Sequence, residues 1–129
     1  MKQIVLFIAA VYGLSSVILG AFGAHAFKKL LTDEKLASFE VGVKYQMYHA
    51  LAILAVGLYF QMNSGLEKTI VWSWIAGTFI FSVSIYLLSF ADYWGVNLRW
   101  LGPITPLGGL FMMIGWATLC WYFLKVKTA

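Results

Sequence analysis

The two histidines and their polar neighbours carry most of the chemistry in this sequence. His25 closes one apolar stretch. His49 opens the next, three residues after Gln46, so Gln46 and His49 share one face of a helix. Tyr45 and Tyr48 add hydroxyls beside them, and Thr105 stands where a later apolar stretch begins. In an apolar setting such groups serve in one of three ways. They bond helices to one another, they line the mouth of a path for a proton, ion or small solute, or they ligate a metal or haem through the two imidazoles. The ligand reading lacks partners, because no cysteine or carboxylate is spaced to complete a set, so neither metal nor cofactor is expected. The path reading lacks stepping stones, because no charged residue lies deep in an apolar stretch.

Catalysis finds no footing. Asp33, Glu34, Glu40, Glu67 and Asp92 all fall in connections or at their edges, and no two are placed to share a site. A nucleophile elbow, a phosphate loop and an H-E-x-x-H pattern are missing, so no enzyme activity is expected. Cys120 is the single cysteine; it forms no intrachain disulfide and reads as a small buried apolar residue. The net charge is +4, but the longest basic run is Lys28-Lys29. Cations scattered at the ends of apolar stretches suit lipid headgroups, not nucleic acid.

The elements that position these residues follow from composition. The 129-residue chain, one domain by length, is 62% hydrophobic and 11% charged, whereas soluble domains carry about 25% charged residues. Its mean hydropathy is +0.84. A bilayer core of about 30 Å takes about 20 apolar residues as a helix. Four charge-free stretches meet that length and predict spans at about residues 3–27, 45–66, 69–91 and 102–124. Backbone groups in hydrocarbon must pair internally, and the short alternating segments of a barrel are missing, so all four are expected to be helices. Trp72, Trp74, Trp94, Trp100, Trp121 and Tyr122 flank the stretches, as aromatic rings do at headgroup depth. The first stretch ends in Ala24-His25-Ala26 like a cleavable signal, but its apolar core is too long for one, so a retained helix is expected.

Connections complete the expected fold. In the segment 28–44, Thr32 caps a helix with Asp33 and Glu34 in its first turn, and Leu36, Phe39 and Val43 share a face. That predicts a short amphipathic helix in the interface or an outward extension of the second span. Tight connections at 67–68 and 92–99 predict an all-α, membrane-embedded, up-down-up-down four-helix bundle. Both termini then share a side. Lys2, Lys68, Lys125 and Lys127 face that side, against Lys28, Lys29, Lys35, Lys44 and Arg99 on the other, and the closeness of Lys125 and Lys127 to a span end favours cytoplasmic termini. Thr105-Pro106 reads as cap and first turn, with the helix starting at Pro106 after an irregular Gly102-Pro103.

This topology gathers His25, Gln46, His49, Ser89, Asp92, Arg99 and Thr105 at one end, with His49 about 7 Å deep at roughly 1.5 Å per residue and His25 at a comparable level. Small residues form stripes: Gly13, Ser16, Gly20 and Ala24 on the first helix, Ser73, Gly77 and Ser84 on the third, and Gly102, Gly108, Gly109 and Gly115 on the fourth. Such stripes let backbones approach within a bundle, and they also serve dimer interfaces or substrate paths.

Three strings then carry a resemblance. They are Gly20-Ala21-Phe22-Gly23-Ala24-His25-Ala26, Gly42-Val43-Lys44-Tyr45-Gln46-Met47-Tyr48-His49-Ala50-Leu51, and Thr105-Pro106-Leu107-Gly108-Gly109 followed by Gly115-Trp116. Over nearly the whole chain the sequence resembles the small bacterial inner-membrane family of unknown function 423 (YgdD-like, transmembrane protein 256-like). Residues 81–86 are similar to a family stretch that has a glycine where this chain has Val83. The resemblance implies a four-span, multi-pass inner-membrane protein and no particular reaction. The expected role is a non-enzymatic structural or accessory component amid membrane lipids, as a homo-oligomer or a subunit of a larger membrane complex. The alternative is a small transporter or channel using His25, Gln46 and His49.

Overall fold

The structure, a computed structural model, describes residues 1–125, so Lys127 lies outside the described residues. Four long helices make up most of the described residues: α1 (Lys2–Ala24), α2 (Asp33–Tyr59), α3 (Gly65–Trp94) and α4 (Ile104–Lys125). All four spans are long and apolar enough to cross a membrane.

The helix ends depart from the charge-free stretches for local reasons. Thr32 caps α2, its hydroxyl accepting from the Lys35 N–H at 3.2 Å. From there α2 runs unbroken to Tyr59. The segment after Thr32 is therefore no separate interfacial helix but the outer turns of α2. Phe39 pins it inward, its ring 4.9 Å from Tyr86 and 5.9 Å from Phe90. The turn into α3 falls at residues 60–64, ahead of the expected 67–68. Ser64 and Glu67 form a reciprocal capping box there, which draws Glu67 and Lys68 into the first turn of α3. Gly95, at φ +69°, ends α3 in the left-handed conformation that glycine adopts without strain. A 3₁₀ turn at Arg99–Leu101 leads to α4, which starts at Ile104. Thr105 therefore lies inside the first turn and is not its cap.

Packing centres on α3, which lies against both α2 and α4, while α1 packs on α2. Contacts run in opposite order along neighbours. Lys2 reaches the Leu58 carbonyl while Gly23 meets Phe39; Ser84 meets Thr105 while Trp74 meets Gly115. The largest apolar cluster joins Val5, Ala9, Ile53, Phe60, Ile70, Val71, Trp74 and Tyr122. Trp74 and Tyr122 are thus core residues, not interfacial anchors: α3 begins four residues before the expected span, which carries Trp74 inward. Trp72, Trp94, Trp100 and Trp121 are exposed. So is Cys120, on the outer face of α4, where burial was expected. Other outer positions are apolar as well, among them Phe7, Leu14, Phe79 and Met113, which suits a surface solvated by lipid tails.

The glycines separate into two groups. A Cβ on Gly77 would stand 2.8 Å from the Gly108 carbonyl oxygen, one on Gly108 would strike the Phe81 backbone nitrogen, and one on Gly115 would strike the Trp74 indole. These three sit where α3 and α4 touch backbone to backbone or backbone to ring. Gly13, Gly20 and Gly109 would have a Cβ at 4.0, 3.5 and 3.8 Å from the nearest side chain, which is ordinary contact. Ser16 is buried and returns its hydroxyl to the Tyr12 carbonyl, and Ala24 is exposed at the end of α1. Two close approaches lay outside the expected stripes: Gly42 against Tyr86, and Gly57 against Leu6.

Candidate functional site

Polar side chains meet at two places near mid-height of the helices, on either side of α2. The first centres on Gln46, in the middle of α2. Its amide nitrogen donates to the Tyr12 carbonyl at 3.0 Å and to Ser15 Oγ at 2.6 Å, both on α1. Its amide oxygen accepts from the Tyr86 hydroxyl of α3 at 2.6 Å. One side chain thereby joins three helices. Nearby, Tyr12 donates its hydroxyl to the Ile75 carbonyl at 2.7 Å, and Ser82 donates to the Gly42 carbonyl at 2.8 Å.

The second centres on His49, one turn along α2. Trp116 of α4 donates its indole N–H to Nε2 at 3.0 Å, and Nδ1 lies 2.8 Å from the Tyr45 carbonyl. An indole N–H only donates and a carbonyl only accepts. Nε2 must then be the acceptor and Nδ1 must carry the hydrogen, so the ring is the neutral Nδ1–H tautomer with both nitrogens occupied. The Trp74 ring stands 6.1 Å from the imidazole and 4.5 Å from Trp116. Tyr45 stacks over His49 at 6.4 Å and packs on Phe81 at 5.2 Å, with its ring partly exposed. A shallow cleft of about 320 Å³ opens over this face, lined by Tyr45, His49, Phe81, Met113 and Trp116.

Two sequence candidates lie elsewhere. His25 follows the last residue of α1, with its side chain exposed. Gly23 sits beside Phe39, about 15 Å along α2 from His49 at roughly 1.5 Å per residue, and His25 lies further out still. The two histidines do not meet, because α2 begins well outside the apolar stretch that had placed them level. For the same reason His49 lies near mid-height, far deeper than expected. Thr105 binds Ser84 of α3 at 2.6 Å. Ser84 spends its own hydrogen on the Phe81 carbonyl, so Thr105 is the donor.

Tyr12, Ser15, Ser82, Tyr86 and Trp116 complete these contacts and went unread in the sequence as site residues. A usable signal was there: a hydroxyl inside a span must bond to something, and serines recur at 15, 16, 82 and 84. Between α1 and α3 runs a second cleft of about 280 Å³, lined by Tyr12, Gln46, Thr78, Ser82, Val83 and Tyr86. Val83 therefore faces α1, not the α3–α4 seam. No three His, Cys, Asp or Glu side chains come together among the described residues.

Comparison with known proteins agrees with this architecture. The family model described as "Protein of unknown function (DUF423)" matches residues 19–109. A UPF0382 membrane protein of Haemophilus influenzae is 35% identical over 128 residues, covering 99% of each chain. The UPF0382 membrane protein YwdK of Bacillus subtilis is 36% identical, covering 88% of this chain and 90% of its own. The UPF0382 membrane protein C1782.12c of Schizosaccharomyces pombe is 40% identical, covering 87% and 94%. No solved structure matches the chain. Its four membrane-length helices, a family match over most of its length and relatives aligned almost end to end place the chain in the DUF423 family of membrane proteins.

Proposed function

We propose that this protein is a non-enzymatic structural or accessory component of the bacterial inner membrane, crossing it up-down-up-down with its termini in the cytoplasm. The observation that supports a structural role most is how the mid-height polar groups are used. Gln46 spends its hydrogen-bonding groups on neighbouring helices, and His49 spends Nε2 on Trp116 of α4 and Nδ1 on the Tyr45 carbonyl of its own helix, keeping no free nitrogen for a proton or ligand. Groups arranged this way hold helices in register. Carriers and relays instead keep ionisable groups facing a wet path.

The outer faces suggest how it would act. α1 and α4 flank the α2–α3 pair and present Phe7, Leu14, Leu110 and Met113 outward. Those faces suit packing against a second copy or a larger membrane assembly. Native mass spectrometry of the protein extracted in mild detergent tests this. Homo-oligomers or a reproducible co-purifying membrane protein are expected, and monomers with nothing attached would overturn it.

The transport alternative finds one supporting observation, the unpartnered Thr78 hydroxyl in the cleft between α1 and α3. A path through His25, Gln46 and His49 loses support, since His25 stands apart from the other two.

A further inference from the structure

We propose that the end of the bundle holding Lys35 and Arg99 is a binding site for an anionic phospholipid, with its phosphodiester on the cations and an acyl chain in an apolar pocket beneath. Two adjoining cavities carry the inference. The outer one, of about 560 Å³, is lined by Lys35 of α2, Asp92 of α3 and the loop from Gly95 to Arg99. The inner one, of about 400 Å³, is lined by Ile85, Leu88 and Ser89 of α3 and by Thr105 and Pro106 of α4. Lys35 and Leu88 belong to both, so a charged mouth leads into an apolar floor.

Three further features match that ligand. Ser89 lines the inner cavity at 2% exposure, and its hydroxyl has no partner. Buried hydroxyls are rarely left unpaired, and an ester carbonyl below a phosphodiester is an acceptor of the right kind. The mouth stands at headgroup depth, where Tyr93, Trp94 and Trp100 are exposed beside it. Asp92 is the only acid in the lining, and its carboxylate meets the Lys35 ammonium at 4.0 Å with 83% of its side chain exposed. Such an exposed pair is weak, so a phosphodiester displaces it at little cost. None of this depends on whether the protein assembles with partners.

The test is native mass spectrometry of the full chain in a neutral maltoside detergent, titrated with phosphatidylglycerol or phosphatidylcholine. Phosphatidylglycerol should be retained over phosphatidylcholine. Lys35→Gln and Arg99→Gln, made separately, should each weaken retention about fivefold, the effect of about one interfacial cation. Asp92→Asn should strengthen it. Ser89→Ala should weaken the lipid about threefold without changing headgroup preference. Removing two cations at the same end but outside the cavity, in Lys28→Gln/Lys29→Gln, should change nothing. Circular dichroism and a single elution peak check that each variant is folded. Equal retention of the two lipids overturns the proposal, as does an equal loss in the Lys28/Lys29 variant. Glycerol 3-phosphate competing as well as the lipid would reassign the site to a soluble phosphate and overturn the acyl-chain pocket.

Discussion

The α3–α4 seam and the α1–α2 seam hold helices together by different means. Between α3 and α4 the backbones touch, with Gly77 and Gly108 facing each other and Gly115 flat against the Trp74 indole. Between α1 and α2, Gly13 and Gly20 have room and Gly57 meets only the side-chain ends of Leu6 and Val5, never backbone, while Gln46 bridges the helices by bonding Tyr12 and Ser15. Lipid tails are as apolar as the side chains, so burial alone does not pair helices in a bilayer. Backbone-to-backbone packing dominates the α3–α4 seam, beside the single Ser84–Thr105 bond, and side-chain hydrogen bonds from Gln46 carry more of the α1–α2 seam. A glycine stripe is therefore not evidence of a tight seam by itself: Gly13 and Gly108 look alike in sequence and meet different surroundings.

Substitutions can break that contrast in order of expected size. Gly108→Ala should cost most, about 1–3 kcal/mol, because its methyl meets backbone that has nowhere to go. Thermal unfolding in detergent checks it, and Gly115→Ala should behave alike. Gln46→Leu comes next, at about 1–2 kcal/mol, since polar contacts between membrane helices average about 0.6 kcal/mol and three are lost together. A double-mutant cycle of His49→Phe and Trp116→Phe should give a coupling of about 0.6 kcal/mol. Gly13→Ala should stay within about 0.5 kcal/mol of the parent, its Cβ having 4.0 Å to Ala50. Equal losses in Gly13→Ala and Gly108→Ala would erase the contrast.

Much of the fold was legible in the sequence, and the site less so. Hydropathy over about 20 residues finds the spans, because the bilayer requires that length of helix. It does not find where helices end, because helices run through charged residues once those reach headgroups. Thr32 and the Ser64–Glu67 box set the true starts of α2 and α3, and both were written in the sequence as capping patterns. Misplacing the start of α2 put His49 near the surface and level with His25. Gln46 and His49 stood out as polar residues in an apolar span, but their partners did not. Tyr12, Tyr86 and Trp116 look like lipid-facing or core aromatics until the helices are set side by side. That Trp116 donates to His49 depends on the α3–α4 seam bringing α4 close, which is a tertiary fact.

The most direct test of a structural role is flux. Purified protein reconstituted into liposomes with an internal pH dye and an imposed potential should leak protons no faster than empty liposomes, because Gln46 and His49 are closed on neighbouring helices. A protein-dependent flux that Gln46→Leu or Trp116→Phe abolishes would contradict it and make these residues part of a path.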